Sequence, residues 1–186
     1  MRFFFLGVSL GSALILSGCN TTPYDRSTIY YEREQFAAQL SKDLGVADPV
    51  LQHGRCSLIV STPDSNTGTY YFCTYALTAN RLYVQGWDAK TLKYVELVQI
   101  DVTNLKKMSL YTFLRTKQLQ LTEERRQIAL SASIDDGGYV DAEATEHLFD
   151  AIKAKGVPVA KSEGLITPPA APAPMIIPIV MPKSYR

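Results

Sequence analysis

The sequence predicts an α+β domain in which about seven antiparallel strands form a curled sheet or small barrel, with a C-terminal helix. Two changes of pattern predict this class. Between residues 55 and 134, apolar and polar residues alternate with period two in short runs separated by turn formers. At 141–155 the spacing becomes helical. We also expect an extra helix before the strands and a proline-rich tail after the domain.

Residues 1–18 have the features of a secretory signal. Arg2 is followed by an apolar run over 3–16 and then by small residues. The apolar run is too short to cross ~30 Å of hydrocarbon as a retained helix. The sequence therefore predicts export rather than a membrane span.

The segment Leu16-Ser17-Gly18-Cys19 resembles the lipobox of bacterial lipoproteins. The resemblance implies cleavage before Cys19, a diacylglyceryl group on its sulfur and an acyl group on the new amine. Asn20 is not the Asp that retains such lipoproteins in the inner membrane, so the resemblance implies an anchor on the periplasmic face of the outer membrane. Residues 19–26 would be a short lipidated linker. An ordinary signal peptide with a chance cysteine is the alternative.

Cys56 and Cys73 are the two remaining cysteines. An even pair in an exported protein is expected to form a disulfide. Predicted strands at 55–61 and 69–78 flank the turn-rich segment 62–68, and a hairpin centred there places the two cysteines opposite each other. A redox or metal role is the alternative, but the sequence has no CxxC motif and no nearby histidines.

Two helices are predicted. The first covers 27–45, beginning at Ser27 and ending at Gly45, with a narrow apolar stripe that includes Phe36 and Leu40. We expect this stripe to pack on the domain, with a membrane surface or a partner as the alternative. The second covers 141–155, with an N-cap at its first residue and a glycine after its last.

The order of elements over residues 54–156 is similar to the pleckstrin-homology-like fold, including GRAM-like domains. Residues 77–84 (Leu-Thr-Ala-Asn-Arg-Leu-Tyr-Val) look like the second hairpin of that superfamily, and 141–152 looks like its terminal helix. We therefore assign 27–156 to a PH-like domain with an N-terminal helix. The first hairpin loop, 62–68, has no Lys or Arg, so the phosphoinositide ligand of that superfamily is not carried over.

The tail, 157–186, contains seven of the ten prolines and is predicted to be extended. Its end is unusually aliphatic, with Ile176, Ile177, Ile179 and Val180. We expect this aliphatic end either to lie on the surface or along a sheet edge of its own domain, or to bind a partner by strand addition or groove docking.

Aromatic residues on two adjoining predicted strands supply a second candidate interface. We single out Tyr70, Phe72, Tyr83 and Trp87, because alternation points about half of such residues outward and aromatic rings suit interfaces. Ordinary filling of the core is the alternative.

Charge and motifs argue against several functions. Without Arg2, the basic residues fall from 19 to 18, equal to the 18 acidic ones, which gives no support to nucleic-acid binding. His53 and His147 have no partner motif, so we expect no catalytic residue, metal or cofactor. A convergence of polar groups around either histidine would favour an enzyme.

The sequence thus predicts a non-catalytic, lipid-anchored interaction or assembly protein whose partners are the outer membrane, through acyl chains on Cys19, and other envelope proteins. The alternative is a binding module for a lipid, a glycan or a small hydrophobic ligand. A buried apolar cavity would favour that alternative.

Overall fold

The computed structural model describes residues 30–135 and 139–170. The predicted signal peptide, Cys19, the linker, the helix start at Ser27 and the aliphatic end of the tail (Ile176, Ile177, Ile179 and Val180) lie outside the described residues. Within the described ranges, neither helix has the length and apolar character needed to span a bilayer.

The described residues form the predicted α+β fold, in which one α-helix precedes the seven strands in the chain and one follows them. The helices are α1 (Phe36–Leu44) and α2 (Ala142–Lys153). The strands are β1 (Gln52–Ser61), β2 (Thr69–Leu77), β3 (Arg81–Asp88), β4 (Lys93–Asp101), β5 (Lys107–Phe113), β6 (Thr116–Thr122) and β7 (Gln127–Ser133).

All seven strands pair antiparallel in one sheet of order β4-β3-β2-β1-β7-β6-β5, which is compatible with a PH-like fold. The expected curling of the sheet toward a barrel is not found. The sheet is open and uncurled, with β4 and β5 as its outer strands. Other groups occupy their edges. The Met108 N–H of β5 donates to Pro158 O at 2.8 Å, and the Tyr94 N–H of β4 donates to the Asp43 carboxylate at 2.9 Å.

The main core lies on one face of the sheet, which we call the inner face. It takes buried side chains from every strand, including Cys56, Leu58 and Tyr75, together with Leu148 and Ile152 of α2. The α2 helix begins as predicted. The Asp141 side chain accepts from the Ala144 N–H at 2.9 Å, which supplies one of the hydrogen bonds that a helix N-terminus lacks.

On the opposite, outer face, α1 covers an aromatic second core that includes Tyr31, Phe36 and Tyr94. The predicted helix start was wrong, because residues 30–32 are outside any helix and 33–35 form a turn before α1 begins at Phe36. The Tyr30 ring packs tilted against Trp87 at 4.8 Å between ring centroids, while Tyr31 packs against Phe36 at 5.3 Å. Consecutive residues of a helix point about 100° apart, whereas the irregular backbone at 30–31 lets both tyrosines contact this second core.

Residues 157–167 form a segment that we call the strap. Val157 lies in the main core, residues 158–160 run along the edge of β5, and the later residues lie on the outer face over β6 and β7. Ile166 is 2% exposed and packs on Ile59 and Ala129. Its carbonyl accepts from Gln118 Nε2 at 2.9 Å, and its N–H donates to Gln118 Oε1 at 3.0 Å. The packed domain therefore continues beyond residue 156, into the first part of the predicted tail. The aliphatic end, for which the two expectations were stated, lies outside the described residues.

The strap ends beside the β1–β2 hairpin. The Gly68 N–H donates to Thr167 O at 3.1 Å, and the Thr167 N–H donates to Asn66 O at 2.9 Å. A Cβ at position 68 would lie 2.3 Å from Val60 O of β1, so only glycine fits between β1 and the strap. Residues 168–170, the last of the tail that the structure describes, follow directly after this contact.

Candidate functional site

The predicted disulfide between Cys56 and Cys73 is confirmed. The two residues are direct cross-strand partners with Cα atoms 4.9 Å apart, and their sulfurs are bonded. They are 2% and 0% exposed within the main core. Because a redox-active cysteine must be reachable by its reaction partner, this burial indicates a structural bond.

Two of the four predicted interface aromatics belong to the packing under α1. Tyr83 is 7% exposed in the second core, so its assignment to an interface was wrong. Trp87 is partly buried against Tyr30 and Tyr94, with ring centroids at 4.8 and 5.1 Å. Alternation correctly places both residues on the outer face, but it does not indicate that α1 and residues 30–31 cover them.

The other two lie at the start of β2, on the outer face. Tyr70 and Phe72 form an edge-to-face pair with ring centroids 5.1 Å apart, and Tyr70 is 37% exposed. Thr67, three residues before Tyr70, bridges to Thr167 at the end of the strap. The structure thus brings this aromatic pair close to Thr167 at the end of the strap.

A cleft of about 420 Å³ opens at the other end of the sheet, where β1 begins. It lies where β1 extends beyond the end of β7. The pairing of the two strands stops at Arg55 and Ser133, because β7 ends at Ser133 while β1 begins at Gln52. Ser133 also bridges to Val140, on the side of β7 away from β1. The first turn of α2 closes the side of this opening, since Gln52 Nε2 donates across it to Ala144 O at 3.1 Å.

Tyr75 forms the floor of the cleft. Its ring lies against Gly54, where a Cβ would be 3.1 Å from Cε1, and its hydroxyl accepts from Gln52 Nε2 at 3.1 Å. Burial raises the pKa of Tyr75 to about 12, above its ordinary value of 10.0. The hydroxyl is therefore neutral at physiological pH.

The outer-face wall of the cleft carries histidine and arginine side chains. Tyr31 Oη and His53 Nδ1 are 3.0 Å apart, and the Phe36 ring stacks on the imidazole at 5.0 Å. Arg33 binds Asp135 through two hydrogen bonds, Nε to Oδ2 at 3.1 Å and Nη2 to Oδ1 at 2.9 Å. This pair bridges the residues before α1 to the chain after β7.

Arg55 is the unusual member of this wall. Its guanidinium carbon lies 6.0 Å from the centroid of the Tyr31 ring, a long cation–π contact. Its Nε is buried without a hydrogen-bond partner. In the part of the chain that the structure describes, no ion pair involves Arg55.

His53 and His147 both line the cleft, although no sequence motif links them. His147 is on the exposed side of α2, 3.9 Å from Glu143. Among residues 30–135 and 139–170, no group of three or more His, Cys, Asp or Glu side chains is placed to hold a metal ion. The arrangement offers a partly buried cation beside polar donors and acceptors, which suits binding of a polar ligand.

A second polar cavity, of about 310 Å³, lies between the strap and the strands beneath it. Its central groups bond one another. Ser109 Oγ donates to Gln120 Oε1 at 2.9 Å, and Gln120 Nε2 donates to Gly164 O at 2.6 Å. We interpret this cavity as the seam that fixes the strap, because its buried amides are already satisfied.

No protein-family model and no curated protein matches the chain. Among solved structures, the chain is similar to the hSac2 domain from human phosphoinositide phosphatase Sac2, with 15% sequence identity and a TM-score of 0.43. The match covers 80% of this chain and 100% of that one. A likeness at this TM-score carries no argument about function.

The environment of His53 predicts a pH effect. Burial and, secondarily, the charge of Arg33 lower its pKa below the ordinary 6.5. Between the lowered pKa of the folded state and the ordinary value, the unfolded chain therefore binds more protons than the folded chain. The free energy of unfolding consequently falls as the pH drops through 6.5 toward the folded pKa. We expect His53→Gln to lose less unfolding free energy than the native protein between pH 7 and 5 in urea titrations.

His147→Gln is the matched control, because it removes a histidine from the exposed side of α2. It should retain the native pH dependence over the same interval. Equal slopes for the native protein and His53→Gln would contradict the assignment of the effect to His53.

Proposed function

We propose that this protein is a lipid-anchored component of the bacterial envelope whose domain acts without catalysis, by binding other envelope proteins at the periplasmic face of the outer membrane. The buried Cys56–Cys73 disulfide is the observation that carries the proposal. Such bonds form and persist in oxidising compartments, and the lipobox-like segment ending at Cys19 supplies a route to one.

The acyl chains on Cys19 would supply the membrane affinity. Each buried CH₂ contributes about 0.8 kcal/mol, and two or more chains give a durable anchor. The first described residue, Tyr30, follows soon after the anchor, and a fully extended connection would reach only about 40 Å. The domain would therefore meet partners that are themselves close to the membrane.

The hairpin end of the sheet suits partner binding. Tyr70 supplies a partly exposed aromatic surface there, and the strap directs the tail to the same end. Residues 176–180 could then reach about 30 Å from Thr167 as an extended segment. Aromatic anchors are typical of protein interfaces, and an extended aliphatic segment suits strand addition.

Site-specific crosslinking in intact cells tests this function. A photo-crosslinking amino acid replacing Tyr70 should give discrete adducts with envelope proteins, and truncation after Thr167 should reduce them. The same substitution at Tyr139, which is 77% exposed and follows β7 at the opposite end of the sheet, is the control. Equal adduct patterns at both positions, or adducts with lipid alone, would contradict a protein interface at this end.

A second candidate function is supported by the cleft. Both described cavities are lined mainly by polar groups, and the one at the start of β1 contains the unpartnered Nε of Arg55. These features favour a glycan or a lipid headgroup over a small hydrophobic ligand. The same anchored domain could bind a ligand in the cleft and a protein partner at the hairpin, because these two sites lie at opposite ends of the sheet.

A further inference from the structure

We propose that the cleft at the start of β1 binds an oxyanion, either the carboxylate or the phosphate group of a polar ligand, and that Arg55 is its principal partner. This inference rests on the second candidate function above and names the chemistry of its ligand. It does not depend on the lipid anchor.

The first argument is the cost of Arg55 in its present environment. When a buried donor on a charged side chain makes no hydrogen bond, no interaction offsets the free energy lost by removing that donor from water. Arg55 sits in the middle of the sheet, paired with Thr74 on one side and Ser133 on the other, so its backbone cannot move to relieve this cost. An anion in the cleft that Arg55 lines would compensate the charge of its guanidinium.

The second argument is the distribution of charge around the cleft. The two hydrogen bonds between Arg33 and Asp135 compensate both of those residues. The Asp141 carboxylate caps α2, where the helix dipole favours a negative charge. Arg55 is thus the charged group of the described cleft that lacks a compensating partner, and its complement is an anion.

The third argument comes from the pairing register. Gln85, Thr74, Arg55 and Ser133 lie in one row across β3, β2, β1 and β7, and cross-strand partners share a face. Gln85 is 0% exposed, and neither polar atom of its amide has a hydrogen-bond partner. The buried side-chain atoms found without partners in the described residues belong to Gln85 and Arg55, and of these two residues Arg55 is the one that lines the cleft.

Arg55→Met separates a ligand-binding role from a structural one. Replacing an uncompensated, partly buried charge by an apolar side chain of similar length is often neutral or stabilising. We therefore expect Arg55→Met to melt at or above the temperature of the native protein while losing oxyanion binding by about tenfold or more. A variant that is clearly destabilised would show that Arg55 is a structural residue and would overturn the proposal.

Binding is measured on the full mature chain in micelles of a non-ionic detergent, from nitrogen–proton correlation spectra. The backbone amide signals of residues that line the cleft report binding in the native protein and in every variant, and the Arg55 Nε–H signal is followed wherever Arg55 is present. Inorganic phosphate and glucuronate are the soluble probes, and phosphatidylglycerol incorporated into the micelles is the lipid probe. We expect at least one probe to shift the cleft signals of the native protein saturably. Saturation by the soluble probes indicates a free ligand, and saturation by phosphatidylglycerol alone indicates a headgroup.

Arg125→Met, which removes an exposed arginine from the turn between β6 and β7, is the matched control and should bind like the native protein. Absence of saturable binding by every anionic probe would overturn the inference. Diacetylchitobiose, a neutral sugar, distinguishes failure of the oxyanion inference from failure of the ligand-binding function. If it binds in the cleft and Arg55→Met does not affect it, the ligand-binding function stands and the oxyanion inference is wrong.

Discussion

A Cys19→Ser variant is expected to lose its membrane association completely. Residues 1–18 should be exchanged for an ordinary cleavable secretory signal in this variant, so that the lack of a lipidation site does not leave an uncut apolar segment in the membrane. Without a thioether-linked diacylglyceryl group, the mature chain has no acyl anchor to hold it on a bilayer. Fractionation of cells and labelling with radioactive palmitate would then show an unlabelled protein in the soluble periplasmic fraction.

Asn20→Asp is the paired control for this experiment. The lipoprotein resemblance implies that it keeps the acyl chains and the label but remains in the inner membrane. A Cys19→Ser protein that still sediments with membranes and still carries palmitate would refute the proposed anchor.

Removal of the disulfide should produce the largest loss of stability. The bond joins residues 17 apart in sequence, and the chain-entropy model assigns about 3 kcal/mol to closing a loop of this size. The Cys56→Ala/Cys73→Ala double variant should therefore melt roughly 10 °C below the oxidised native protein. Both side chains are buried in the main core, so the smaller alanines add a packing loss.

Reductant supplies the control for the double variant. It should lower the melting temperature of the native protein toward that of the variant and leave the variant unchanged. Equal melting temperatures for the native protein with and without reductant would contradict a stabilising bond.

The local elements of the fold follow from local sequence. The strand alternation, the turn at 62–68 and the register that pairs Cys56 with Cys73 were all predictable, because the length of a hairpin loop fixes which residues face each other. The α2 helix was predictable for the same reason, since its cap at Asp141 and its apolar stripe are encoded within a few residues.

The coverings of the outer face depend on distant contacts, and these were not predictable. The start of α1 is set by contacts of Tyr30 and Tyr31 with residues far along the chain, such as Trp87. The strap has the composition of an extended proline-rich tail, but its position depends on Gln118 bonding Ile166 across 48 residues. Periodicity records which face a residue occupies, and it contains no information about what will pack there.

The cleft belongs to the same category. It lies where β1 extends beyond the end of β7, and this arrangement depends on the pairing of strands at opposite ends of the domain sequence. His53 and His147 become neighbours of one cleft through this topology alone. The missing partner of Arg55 Nε has no signature in the sequence either, because an arginine in a strand usually reaches solvent.

Intact-mass spectrometry of the protein purified from cell membranes tests the central proposal most directly. We predict a polypeptide that begins at Cys19, carries a diacylglyceryl group on the sulfur and an acyl group on the amine, and retains the Cys56–Cys73 bond. A chain that begins at Met1, bears no lipid and is recovered from the cytosol with free thiols would contradict it.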